Sequence, residues 1–467
     1  MKNLFFKKNS NIAFCLIALT FLILKIFEMR FKFSDGYTYM YMAKLILNGK
    51  IPYRDFFFAS PPLQPYIIAF FEIFTGNNFL ILKLIPILAT IGSSFFIFKF
   101  MQKKFGNWEG LTATTLYLFS FLILLTTDYS TGIHLTTFLI LGMIYFIEED
   151  KPFLAGIFGS AALLTRLYAP FPITGALVYH LIYKRKGIFK FIVGLSTIFI
   201  PISLIFGIIS KGAYLNQIFF FRLHLISGIG LDKFSVVTFF LFGDLILVLG
   251  SLLWLFFEKE KKKLILPLLV TSFSIILYII YSDIYYLYFG LIIGFLAMFT
   301  TQLLFEFNEF KNFKKFLVVL LIILVILNSI IYISNYTNSS NIPFTKNLSD
   351  FIKNNSNENG TLYGSFEITP LIALQANRKI AGNFADTNPK NIMTKEFNIS
   401  EVENKIKGVS FIIVKGNLLE DRNIGGFDSS TPKNYINEKC IPAKDYKIKN
   451  DLSGNNLIRV YACKNPI

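Results

Sequence analysis

The sequence predicts an α-helical polytopic membrane domain of about eleven transmembrane helices followed by a C-terminal extracytoplasmic α/β domain. Three observations carry that expectation. Hydrophobic residues make up 54% of the 467-residue chain against 16% charged, with 55 Phe and a mean hydropathy of +0.55, outside the range of soluble globular domains. Apolar runs long enough to cross a hydrocarbon core of roughly 30 Å, at about 20 residues each, recur from residue 11 to residue 334. From Asn335 the composition turns to Asn, Lys, Ser and Gly, marking residues 335–467 as a domain large enough for its own core.

The apolar runs lie near 11–29, 79–100, 108–126, 132–147, 153–166, 168–183, 188–210, 235–257, 264–282, 284–304 and 315–334. Only Arg166 to Pro170 separates the fifth from the sixth, so these two are either separate spans or one broken helix. The first run is long and lacks a small-residue cleavage site, and reads as a retained span rather than a signal peptide. Lys and Arg cluster around Lys2 to Lys8, Lys99 to Lys104, Lys184 to Lys190, Lys259 to Lys263 and Lys311 to Lys315, all on one side of such a bundle. The positive-inside rule makes that side cytoplasmic. The N-terminus is then inside the cytoplasmic membrane, with the first loop and residues 335–467 outside. The net charge of +17 is a topology signal on this reading and implies no nucleic-acid partner, because the cations form no single basic stripe.

The first external loop, 30–66, carries the densest pattern. Asp35 sits just past an apolar helix, and Tyr37, Tyr39, Met40, Tyr41, Met42, Ala43, Leu45 and Ile46 suit a short interfacial helix with its polar edge to the water. Asn48-Gly49 ends that helix, and Pro52 and Pro61-Pro62 break the chain around Tyr53-Arg54-Asp55. A carboxylate at the lip of a bilayer either solvates a span end or is put to use. The order D-x-x-x-Y, N-G-x-I-P-Y-R-D-F-F and P-P-L-x-x-Y resembles the first external loop of polytopic glycosyltransferases of the C superfamily, in the branch of protein O-mannosyltransferases and lipid A aminoarabinose transferase. The resemblance implies that Asp35 is the catalytic carboxylate.

Sugar transfer from a polyprenyl phosphate needs a base for the acceptor proton and cationic or hydrogen-bonding groups for the leaving phosphate. The resemblance places a second acidic residue in the loop between the third and fourth spans, where Asp128 stands; a solvated loop acid is the alternative. Arg166 ends an L-T-R pattern where the family carries a cation toward the lipid phosphate, and a guanidinium suits phosphate oxygens; equally, it can anchor a helix end. Arg54, Asp55, His134, Arg222, Tyr285 and Tyr286 complete the candidate substrate-binding groups on the outer side.

No Walker loop, G-x-G-x-x-G, H-E-x-x-H or DxD pair is present, which favours a lipid-linked donor over a nucleotide sugar. The three histidines are scattered, so no metal site or cofactor is expected, though a carboxylate-bound divalent cation near Asp35 stays open. In the last domain, helices are expected at 345–355, 369–376 and 401–407 and strands at 361–365 and 409–415, with a closing pair near 446–449 and 456–463. Cys440 and Cys463 flank that pair as a disulfide or as two free thiols.

The leading functional reading is an integral-membrane glycosyltransferase using a polyprenyl-phosphate sugar at the outer membrane face, with a glycan, lipid or protein acceptor. A transporter or flippase of lipid-linked sugars is the rival, as is a non-catalytic assembly protein. Transporters place ionisable groups at mid-membrane in both halves, whereas here they crowd one face.

Overall fold

The computed structural model describes residues 2–463 except 77, 222–232, 258–260, 282–283, 307–318, 321, 332–333, 335–341, 389–390, 392–398, 416–432 and 448–456. One-turn segments aside, the membrane part comprises α1 (Lys2–Glu28), α2 (Gly36–Leu47), α3 (Leu63–Thr75), α4 (Leu84–Lys104), α5 (Asn107–Leu118), α6 (Phe121–Thr126), α7 (Ile133–Glu148), α8 (Pro152–Leu163), α9 (Pro170–Tyr183), α10 (Ile188–Ile209), α11 (Lys233–Gly243), α12 (Leu245–Phe257), α13 (Ile265–Ile280), α14 (Gly290–Glu306) and α15 (Ile322–Ile331).

Among the described residues, five helical stretches are long and apolar enough to cross a membrane, and α11 and α12 form a further candidate bent by 85°. The expected spans at 108–126, 132–147, 153–166 and 168–183 are shorter or interrupted, and the one at 315–334 lies partly outside the described residues. The 108–126 run breaks at Phe119-Ser120, between α5 and α6. Residues 153–183 form a hairpin and not one broken helix: Lys184 at the end of α9 donates to Ile147 O (2.9 Å) and Asp150 (2.6 Å), returning the chain to where α8 began. Small residues let α8 and α10 touch along their backbones, as in tight membrane helix pairs. A Cβ at Gly156 would collide with the Phe191 carbonyl, and one at Gly194 with the Phe153 carbonyl.

Three of the basic clusters gather at one end of the bundle. Lys103 and Lys104 pair with Glu149 (2.8 Å) and Glu148 (2.7 Å), Lys184 pairs with Asp150, and Lys263 lies over the Phe105 ring. Lys99 donates to Asn11 in α1, bringing the N-terminal helix to the same end.

Beyond the bundle, α16 (Thr345–Asn354), β1 (Thr361–Gly364), α17 (Thr369–Gln375), β2 (Lys379–Ile380), α18 (Ile399–Lys405), β3 (Phe411–Lys415), α19 (Lys433–Lys439), β4 (Cys440–Lys447) and β5 (Leu457–Cys463) build a five-stranded sheet of order β2-β1-β3-β5-β4. β1 pairs parallel to β2 and β3, whereas β5 runs antiparallel between β3 and β4. β4 begins at Cys440 and not near Tyr446. It is an exposed edge strand with Pro442 and a bulge, so it lacks the alternation that marks a half-buried strand.

The core of this sheet is shared. Tyr37, Tyr41, Phe56 and Phe58 of the first loop and Ile68 of α3 lie in one buried cluster with Leu371, Ile380, Phe411 and Val460. The helix expected to show a polar edge to water is instead buried over most of α2, because the sheet domain rests on it. Tyr41 Oη accepts from Ile380 N (2.7 Å), Thr38 donates to Phe366 O (3.4 Å) and Lys44 to Asn377 (2.9 Å). The sheet domain and the first loop therefore occupy the same side.

A disulfide joins Cys440 to Cys463 across paired positions of β4 and β5. It closes a loop of sequence separation 23, and such a loop contributes about 3 kcal/mol by chain entropy. Reductant is expected to lower the thermal transition of the sheet domain; unchanged melting, with both thiols then open to labelling, would remove the disulfide from its stability.

Candidate functional site

The site is assembled by short, broken helices at the end of the bundle that meets the sheet domain. α6 is only six residues long, and its first N–H groups at Phe121 (2.9 Å) and Leu122 (3.1 Å) donate to the carboxylate of Asp244, the residue at the α11–α12 bend. An acid inside an apolar run is costly unless it meets donors, and here it meets the unsatisfied N-terminus of a helix. α6 delivers the turn from Thr127 to Thr131.

That turn is the meeting point of the other elements. A Cβ at Gly36, the first residue of α2, would sit 3.0 Å from Ser130 N, so glycine permits the close approach. Gln64 Nε2 donates to Ser130 O (3.1 Å), and Leu63 N to Leu164 O (2.8 Å), which ties α3 to both the turn and the α8–α9 hairpin. Arg166 donates to Thr131 O, and its guanidinium carbon lies 5.1 Å from the Tyr39 ring centroid, over α2. Asp35, exposed immediately ahead of α2, is thereby brought to the same locus as the Asp128 turn and Arg166.

Asp128 is not a solvated loop acid, nor does it lie open to a substrate. It is 3% exposed, with Nζ of Lys83 at 3.3 Å, Lys32 at 3.5 Å and Lys25 at 3.9 Å. Burial alone would push its pKa up; Lys32, Lys83 and Lys25 together outweigh burial and hold it well below the usual carboxylate range. At Lys32 the balance falls the other way, and burial depresses the ammonium despite the attraction of Asp128. Lys83 also donates to Arg30 O (2.7 Å), and Lys25 to Leu124 O (2.6 Å) and Glu28 (2.9 Å). The sequence pattern did not single out these three lysines; the signal, at Lys25 and Lys83, was a lysine inside an apolar helical stretch, which demands a partner.

The remaining candidates are not gathered there. Arg54 and Asp55 satisfy each other through two bonds (3.0 and 2.9 Å), and Asp55 accepts from Ile51 N (2.8 Å), bracing a turn in which Tyr53 has φ 69°. Bonding to Arg54, the largest influence, lowers the Asp55 pKa. His134 is a core residue, 1% exposed between Thr90 (3.2 Å) and Thr126 (3.0 Å), and does not reach a surface. Tyr286 is buried against Phe239, while Tyr285 is exposed. Arg222 lies outside the described residues. Among the described residues no three His, Cys, Asp or Glu side chains gather to hold a metal ion.

Comparison with known proteins bears out the resemblance read from the first loop. A family model described as dolichyl-phosphate-mannose-protein mannosyltransferase matches residues 59–209, a stretch that starts after Asp35. The fold is that of ArnT from Cupriavidus metallidurans bound to undecaprenyl phosphate, at a TM-score of 0.64 and 10% identity over 96% of this chain and 97% of that one. It is shared with the Archaeoglobus fulgidus oligosaccharyltransferase, at 0.58 and 12% identity over 86% of this chain and 68% of that one. The mycobacterial arabinofuranosyltransferase AftD also matches, at 0.53 and 12% identity over 96% of this chain and 40% of that one. No curated protein sequence matches the chain significantly.

Proposed function

We propose that the protein is an integral-membrane glycosyltransferase that moves a sugar from a polyprenyl phosphate to an acceptor hydroxyl at the outer face of the cytoplasmic membrane. On this reading the chain crosses the membrane about eleven times, with the N-terminus inside and the sheet domain outside, which the one-sided basic clusters support. The observation that carries the reading is the convergence on one turn of an exposed carboxylate, Asp35, and a guanidinium fixed by Thr131 and Tyr39, Arg166. ArnT, of the same fold, has been seen with undecaprenyl phosphate, which supports the donor class.

In this mechanism Asp35 accepts the acceptor's hydroxyl proton as the oxygen attacks the anomeric carbon from the face opposite the phosphate. The bond from that carbon to the phosphate oxygen breaks, its electron pair leaves with the polyprenyl phosphate, and the anomeric configuration inverts. Arg166 stabilises the departing charge. Asp128 holds the buried lysines in place and takes no proton.

The test is incorporation of labelled sugar from a polyprenyl-phosphate donor by the purified protein. Arg166→Ala is expected to raise the KM for donor roughly 10- to 100-fold, the worth of a charge-assisted bond to phosphate, with a smaller change in kcat. Movement of the intact lipid-linked sugar across vesicles without transfer would favour a flippase.

A further inference from the structure

At the end of the bundle remote from Asp35, a cleft of about 590 Å³ opens where α9 turns into α10. It is the right size for a small polar headgroup. His180, Lys184, Arg185, Lys186 and Lys190 line it, with Asp150 on the facing wall. Lys184 is matched by Asp150. Lys186 and Lys190 are exposed and have no hydrogen-bond or ion-pair partner among the described residues, while Arg185 uses its Nε on the Leu181 carbonyl (2.9 Å). The cleft therefore holds more positive charge than its wall compensates.

A second feature points to a ligand. His180 is 1% exposed, and its Nε2 has no hydrogen-bond partner; its Nδ1 faces the Lys184 carbonyl at 3.4 Å. A buried ring nitrogen without a partner is an unmet cost. With Nδ1–H on that carbonyl, Nε2 is an acceptor, and a headgroup hydroxyl in the cleft would meet its need by donating to it. On the flank, Ile182 (58%), Tyr183 (54%) and Phe189 (74%) are exposed, an apolar margin next to the cations. Charge with an adjoining apolar margin is the chemistry of a phospholipid at a membrane surface.

We propose that this cleft binds the phosphate headgroup of an anionic phospholipid in the leaflet opposite the candidate transfer site. Lys186 and Lys190 contact the phosphate, His180 closes its inner side, and the acyl chains run along Tyr183 and Phe189. The proposal stands apart from the transfer chemistry.

The test is native mass spectrometry of the full-length protein in detergent, titrated with phosphatidylglycerol or phosphatidylcholine. The wild type is expected to retain phosphatidylglycerol preferentially, and Lys186→Ala/Lys190→Ala to retain it about tenfold less well, given the worth of each cation near a lipid surface. Lys261→Ala/Lys262→Ala removes the same charge elsewhere on that face and is expected to retain it normally. Equal loss in both doubles, no loss in the first, or equal retention of phosphatidylcholine would overturn the site. Inorganic phosphate displacing phosphatidylglycerol at equal concentration would assign the cleft to free phosphate and overturn the lipid.

Discussion

Replacing Asp35 by asparagine is expected to lower sugar transfer about a hundredfold or more while leaving donor binding close to wild type. The side chain keeps its shape and loses only its basicity, and general-base catalysis contributes on that scale. Two observations choose Asp35 over its rival. Asp35 is exposed at the start of α2, where an acceptor hydroxyl can approach. Asp128 is buried and ion-paired, with its pKa pulled down by lysines, which makes it a poor proton acceptor even if it were reached. The measurement is transfer under single-turnover conditions with donor affinity determined separately. Near-normal transfer by Asp35→Asn would return Asp35 to the part of a solvated span end.

The second large effect is expected on stability. Asp128→Asn would leave Lys32 and Lys83 facing an amide, with Lys25 matched only by Glu28. Breaking a buried pair from one side costs about 3–5 kcal/mol, because the remaining charge stays buried and unpaired. Thermal unfolding of the purified variant should show that loss directly. Lys32→Met alone should be mild by contrast, since it removes a cation that burial already disfavours. Equal damage from both changes would mean that packing, not charge, governs the cluster. The pH dependence has a definite sign. A carboxylate whose folded pKa is depressed contributes stability that is fully present above its ordinary pKa near 4 and is lost as acid titrates it in the folded state. The Asp128 contribution should therefore hold through neutral pH and fall away only in acid.

Much of the fold was legible because membrane helices are written as apolar runs and the sheet domain as a change of composition. α1, α4, α10 and α13 fall where hydropathy puts them. What hydropathy hides is breakage. The run across 235–257 bends at Asp244, and the run across 108–126 breaks at Ser120; each break is stabilised by the other, since Asp244 caps the helix that begins at Phe121. α3 went unread because its contrast is inverted: Phe70, Ile73 and Phe74 are exposed, whereas Gln64 and Glu72 are buried. At the site, Asp35 and Arg166 were candidates from local pattern, and the fold brings both to the Thr127–Thr131 turn. The role of Asp128 was not legible, because it depends on Lys25, Lys32 and Lys83, which come from separate elements and meet only in three dimensions.

The shared core of the first loop and the sheet domain also sets an order in time. Chains emerge at about 5–20 residues per second, so Asp35 and α2 are made tens of seconds before the strand Phe411–Lys415. Until then Tyr41 lacks the Ile380 N–H that it accepts from, and the buried face of α2 lacks the sheet that covers it. The loop made among the first is completed among the last. A nascent chain stopped short of β3 would carry α2 without the surface that covers it, so the first loop takes its folded form only once nearly the whole polypeptide has been synthesised.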